Sequence, residues 1–123
     1  IELAYAGMKK AVDEGGDYIT FDLRFHQGLM RASRNRLLIQ MSRALGALLR
    51  TSFEISTSRV DGPRSSLPLH RAVLDAVRAA DAERAEKAIL QLIDGAEQDI
   101  EQVLKSRKRL PRLSRPAPNL RVA

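Results

Sequence analysis

The sequence predicts an all-α fold, an antiparallel helical bundle around a ligand or metal cavity. Three observations predict it. Apolar residues recur with a period near 3.6, as in Tyr18, Phe21, Phe25, Leu29 and Met30. No stretch alternates apolar and polar residues in the manner of a half-buried strand. The breaks between stripes are short, which favours antiparallel neighbours.

The first stripe runs from Ile1 to about Glu14, carries Leu3, Ala4, Met8, Ala11 and Val12, and stops at Gly15-Gly16. Asp17 suits the N-cap of a second helix that reaches about Ser33. A third and longest segment follows Asn35, with Leu37, Leu38, Met41, Leu45, Leu48, Leu49 and Phe53, and fades near Thr57-Ser58. Residues Val60 to Ser66, with Asp61-Gly62-Pro63 among them, read as a loop. A fourth helix is expected from about Leu67 to Ala79, with Pro68 in its first turn, where a missing N–H is tolerated. Asp81 caps a fifth, which carries Ala85, Ala88, Ile89, Leu92, Ile93, Ala96, Ile100 and Val103. The helix of Asp22 is expected to pack against the helix of His70.

The chain has 123 residues, 44% hydrophobic and 29% charged, the composition of one globular domain. No apolar run approaches the roughly 18 residues that would span a bilayer, so no membrane partner is expected. Cysteine is absent, which excludes disulfides, thiolate catalysis and cysteine-type zinc sites and fits a cytoplasmic location. The net charge of +6 comes from the end of the chain. Between Lys105 and Arg121 stand seven basic residues, three prolines and no acid. Residues 1–104 are therefore expected to form the helical domain and 105–123 a basic, proline-containing, disordered tail. The chain opens inside an amphipathic pattern without an initiator methionine, and is expected to be a piece of a longer protein.

Three residues carry most of the chemistry. Asp22 and His26 are four apart in Phe21-Asp22-Leu23-Arg24-Phe25-His26, so on a helix they share one face. His70, the only other histidine, lies in Leu69-His70-Arg71-Ala72-Val73-Leu74. Such a pair is common on solvated helices. Both histidines, however, fall within or beside apolar stripes, where a polar group without a partner is costly. A carboxylate and two imidazoles on facing helices are how bundles build interior metal sites. Mixed N/O ligation leaves zinc, nickel or manganese as candidate divalent ions. Arg50 lies beside the apolar stripe, within about 60° of Asn35 on an ideal helix. It reads equally as an ion-pair or snorkelling residue.

Taken in order, Asp22-Leu23-Arg24-Phe25-His26, Ala32-Ser33-Arg34-Asn35-Arg36-Leu37-Leu38, the run from Leu69 to Val77 and Asp81-Ala82-Glu83-Arg84-Ala85 resemble a known family. It is the C-terminal effector-binding (FCD) domain of the FadR subfamily of GntR transcription regulators, matched over about residues 3–104. Leu48-Leu49-Arg50 and Phe53-Glu54 look like its galactonate-responsive, sugar-acid group. The resemblance implies an all-α domain that binds a small carboxylic or sugar acid beside a divalent metal held by Asp22, His26 and His70. It implies a homodimer, and operator DNA bound through an N-terminal winged helix-turn-helix that this chain lacks, along with the first helices of the effector domain. Arg50 is then a candidate for a charge-assisted effector contact and Asn35 for a hydroxyl contact. One departure stands out. Many metal-binding members carry a further histidine 22 residues after the one matching His70, and here Leu92 occupies that place. The remaining three ligands leave coordination positions open for water or a hydroxy acid.

The function expected is thus a ligand-sensing regulator domain rather than an enzyme. A small non-haem metalloenzyme is the alternative, because two histidines and one carboxylate also form an iron facial triad. Against it, no second acid or base is placed beside the three. A helical module that binds nucleic acid through the basic tail is a third reading.

Overall fold

The computed structural model describes residues 1–109, and among them it is an all-α bundle with no strand. The helices are α1 (Glu2–Glu14), α2 (Tyr18–Ala32), α3 (Arg36–Ala44), α4 (Gly46–Ser56), α5 (Gly62–Arg78) and α6 (Ala82–Arg109). Several boundaries follow the expected signals. Gly15 and Gly16 end α1 with φ of 82° and 137°, a region glycine enters without steric cost. Asp17 caps α2 by accepting from Thr20 N at 2.9 Å, and Asp81 caps α6 by accepting from Arg84 N at 3.0 Å.

Three expectations are corrected. The segment after Asn35 is two helices, broken at Leu45 (φ −92°, ψ 3°) immediately before Gly46, whose missing side chain weakens a helix interior. The longest helix is instead α6, with 28 residues, which runs on through Lys105, Arg107 and Lys108 to Arg109. The rest of the basic tail lies outside the described residues. Finally, α5 begins at Gly62, inside the expected loop. Pro63 supplies its first turn, and Pro68 lies in the helix interior, where it has no N–H to give the carbonyl one turn back.

Met8 and Phe25 are fully buried, with Val73, Leu74, Ala88 and Leu92 around them, so the core is drawn from α1, α2, α5 and α6. The closest helix partnerships are α5 with α6 and α1 with α2. At the second crossing Gly7 matters for space: a Cβ there would stand 2.3 Å from the Phe21 ring, so only glycine admits that ring against α1. Helix α2 otherwise packs on α4 and α3, and α5 also on α1. The expected packing of the Asp22 helix on the His70 helix is not among the main helix partnerships. The two meet through side chains, with the Phe25 ring edge-on to His70 at 5.1 Å and the polar cluster described below. One further feature departs from a simple amphipathic plan. Leu37, Leu38, Met41, Leu45 and Leu48, on α3, α4 and the break between them, are exposed, whereas the buried residue of α3 is Ser42.

Candidate metal centre and its clefts

Helical spacing places Asp22 and His26 on one face of α2, and α5 brings His70 to the same point. The Asp22 Oδ1 to His70 Nε2 distance is 3.1 Å, Asp22 Oδ1 to His26 Nε2 is 3.2 Å, and the two Nε2 atoms are 3.3 Å apart. Asp22 and His70 are buried, with 3% and 1% of their surface exposed, and His26 is half-buried. The sequence-predicted triad is therefore assembled as one triangle of donor atoms.

The proton on His70 can be assigned. Its Nδ1 lies 3.0 Å from the Ser66 carbonyl oxygen, which only accepts, so Nδ1 carries the hydrogen. The Ser66 hydroxyl, 3.2 Å from the same nitrogen, shares that contact. A ring carrying that proton alone would present a bare lone pair at Nε2 toward the Asp22 carboxylate, which is also only an acceptor. Two acceptors at 3.1 Å need a cation between or beside them, either a proton or a metal ion. Burial alone raises the pKa of Asp22. The hydrogen bonds and charges of His26 and His70 outweigh it and hold the carboxyl below its usual range.

The donor set fits a divalent cation. With metal–nitrogen bonds of about 2.0–2.1 Å, ligand atoms stand about 2.9 Å apart at right angles and about 3.4 Å apart at tetrahedral angles. The three edges lie within that span. These three are also the cluster of His, Asp and Glu ligand atoms among the described residues whose donors gather closely enough to hold one ion. Aromatic rings wall the site. Phe53 of α4 lies over His26 with centroids 5.0 Å apart, and Phe25 meets both imidazoles edge-on.

Two adjoining clefts open here rather than one enclosed cavity. The first, of about 470 Å³, is lined by the triad together with Phe53, Ile93 and Ile100. The second, of about 640 Å³, lies between the α4–α5 connection and α6 and is lined by polar side chains including Thr57, Ser65 and Gln98. They share Ser56, Ser66, Leu92 and Ala96. Leu92 is 5% exposed and joins the hydrophobic core as well as both clefts.

The other two candidate residues are placed elsewhere. Asn35 is exposed and caps α3, its Oδ1 accepting from Leu37 N at 3.0 Å and Leu38 N at 3.3 Å. Arg50 donates to Thr20 Oγ1 at 2.9 Å and pairs with Glu54 at 3.8 Å. Neither lines either cleft. Sequence reasoning passed over Ser66, although it stands one helical turn before His70, and over Tyr18, one turn before Asp22. The Tyr18 hydroxyl is buried and has no hydrogen-bond partner among the described residues. Burial pushes its pKa well above the ordinary phenol range. Ser66 is close enough to be felt by the phenol in the opposite sense, without closing a bond of proper geometry.

Residues 1–95 match the family described as the FCD domain, and the chain belongs to that family. It is similar to the galactonate operon transcriptional repressor of Escherichia coli (strain K12), 29% identical over 86 residues that cover 67% of this chain and 36% of the repressor. It is also similar to the probable D-xylose utilization operon transcriptional repressor of Paenarthrobacter nicotinovorans, 35% identical over 85 residues, 65% of this chain and 36% of that protein. The chain thus spans 36% of the length of each of these curated relatives. No solved structure matches it.

Proposed function

We propose that this chain is the effector-sensing part of a transcription regulator. In this reading Asp22, His26 and His70 hold a divalent cation, zinc, nickel or manganese, and a small sugar acid binds beside it. The effector then controls operator binding by a winged helix-turn-helix domain outside this chain. The observation that carries the reading is the triangle of donor atoms with edges of 3.1–3.3 Å opening onto a cleft. The names of the two relatives support the ligand class, since they regulate operons for a sugar acid and for a sugar. A homodimer working in the cytoplasm belongs to the same proposal.

When bound, the cation supplies a Lewis-acidic docking point for a carboxylate and a neighbouring hydroxyl. The chain's own residues prepare that point. Ser66 keeps the proton of His70 on Nδ1, so that Nε2 remains free to donate its lone pair. Phe25 and Phe53 pack against the imidazole rings and fix their planes. Leu92 fills the place of a fourth protein ligand with an apolar side chain, which leaves room for effector oxygens. Arg50 would reach an effector only by releasing Thr20.

Metal analysis and a thermal-shift panel of aldonic acids test this. His70→Ala is expected to lose nearly all bound metal, and EDTA to abolish the stabilisation by a sugar acid. Equal metal content in the wild type and His70→Ala overturns the site. Turnover that depends on ferrous iron would move the same residues to an enzyme.

A further inference from the structure

Arg59 lies in the connection between α4 and α5 and donates from Nη1 to Asp99 Oδ1 on α6 at 2.7 Å, across 40 residues of sequence. Both line the larger, hydroxyl-rich cleft. Among the described residues Arg59 is the one arginine or lysine lining either cleft, against five carboxylates: Asp61 and Asp99 in the larger, Asp22, Glu97 and Glu101 in the smaller, where the two imidazoles face Asp22 and Lys105 pairs with Glu101. An acid entering this space meets a negative surround. A cation at the triad answers one carboxylate. At the other end the only counter-charge is a guanidinium already committed to Asp99.

We propose that the Arg59–Asp99 pair makes the site selective for monocarboxylic sugar acids with a neutral polar tail, against the corresponding dicarboxylic acids. The inference rests on the sugar-acid reading above and specifies its ligand. With the acid end beside the triad, the rest of a five- or six-carbon chain extends past Ser66 into the larger cleft. There Ser56, Thr57 and Ser65, whose hydroxyls donate to backbone carbonyls, offer acceptor oxygens to a polyol. The cleft volume, about 640 Å³, is ample for such a tail. A terminal hydroxyl can bond to Arg59 and Asp99 while they remain paired. A terminal carboxylate that takes the remaining N–H groups of Arg59 stands beside Asp99 and near Asp61, and meets both as like charges. Rejection by repulsion is a common way to turn modest affinity into specificity.

Calorimetry of the zinc-loaded full chain with D-galactonate and galactarate, which differ only at the far carbon, tests the proposal. The wild type is expected to prefer galactonate at least tenfold. Asp99→Asn removes the competitor for Arg59 and should shift that ratio toward galactarate at least tenfold, with zinc content unchanged. Arg59→Ala combined with Asp99→Asn should lose most of this shift. Arg59→Lys combined with Asp99→Asn, which keeps a cation, should retain part of it. A ratio that Asp99→Asn moves less than twofold overturns the proposal. So does an equal shift in the single variant and the Arg59→Ala double variant, because Arg59 then plays no part. If the wild type binds neither acid, nor any other aldonic acid of five or six carbons, the sugar-acid reading itself fails. If it binds them and only the ratios disobey, that reading stands and the role of the ion pair falls.

Discussion

At Tyr18 and Asp22, one turn apart on α2, two buried polar groups are treated differently by their surroundings. The Tyr18 hydroxyl has been taken out of water without gaining a partner among the described residues. A lost hydration bond of this kind costs about 1–3 kcal/mol. Tyr18→Phe is therefore expected to be neutral or to stabilise by about 1 kcal/mol in urea unfolding. A loss exceeding that amount would show that the hydroxyl is bonded in solution. Asp22 has the opposite fate, with His26 and His70 holding its pKa below the ordinary value. A depressed folded-state pKa contributes stability that is present above the unfolded pKa, near 3.9, and is lost as pH falls through the folded value. Glu2, Asp13, Asp17 and Glu101 are lowered as well, so the raw acid transition belongs to several groups. The informative quantity is the difference between wild type and Asp22→Asn, measured without metal. It should shrink progressively as the solution is acidified below pH ~4, and a difference independent of pH in that range would contradict the assignment.

Between elements, the α5–α6 junction carries a residue that its backbone does not favour. Ala80 has φ of 53°, in the left-handed region, and sits at the end of α5 where Asp81 N bonds back to Ala76 O at 3.1 Å and Ala80 N to Val77 O at 3.0 Å. This is the Schellman arrangement, in which glycine is the usual occupant. A side chain with a Cβ costs about 1 kcal/mol or more there. Ala80→Gly is expected to raise stability by about 1 kcal/mol and Tm by about 4 °C or more, with the helical circular dichroism unchanged. A lower Tm would show that glycine's extra freedom in the unfolded chain outweighs the relief. The same scale explains which boundaries were legible. Asp17, Asp81 and the Gly15-Gly16 pair announce helix ends by chemistry local to the chain. Gly46 was an equally local signal, overridden in the reading by an unbroken apolar period from Leu37 to Phe53. Asp61-Gly62-Pro63 reads as a loop, yet a proline in the first turn is also how a helix begins.

For the whole molecule, the triad was legible because Asp22 and His26 obey helical spacing and the chain has no third histidine to compete with His70. The clefts were not. Their shape depends on where α4 and α6 stand relative to the triad, and Arg59 finds Asp99 from 40 residues away. No pattern within a single segment encodes that meeting. The helix partnerships also could not be read from amphipathicity, since α2 and α5 both carry apolar faces but spend them mainly on other neighbours. That last fact has a consequence for motion. Helices α2 and α5 are tied at the triad by three polar side chains, a bond of atoms more than of surfaces. A metal ion there would act as a rivet between α2 and α5, and its removal would leave them joined directly by those side chains alone. Amide exchange should therefore respond unevenly to zinc. The amides of α5 around His70 and of α2 around His26 are expected to slow at least tenfold on zinc binding, the dependence a ligand at 10 times its Kd imposes on opening. Those of α1 should change much less. Uniform slowing along the chain would mean that α2 and α5 open only with the rest of the bundle, and that the rivet merely adds to a fold already closed.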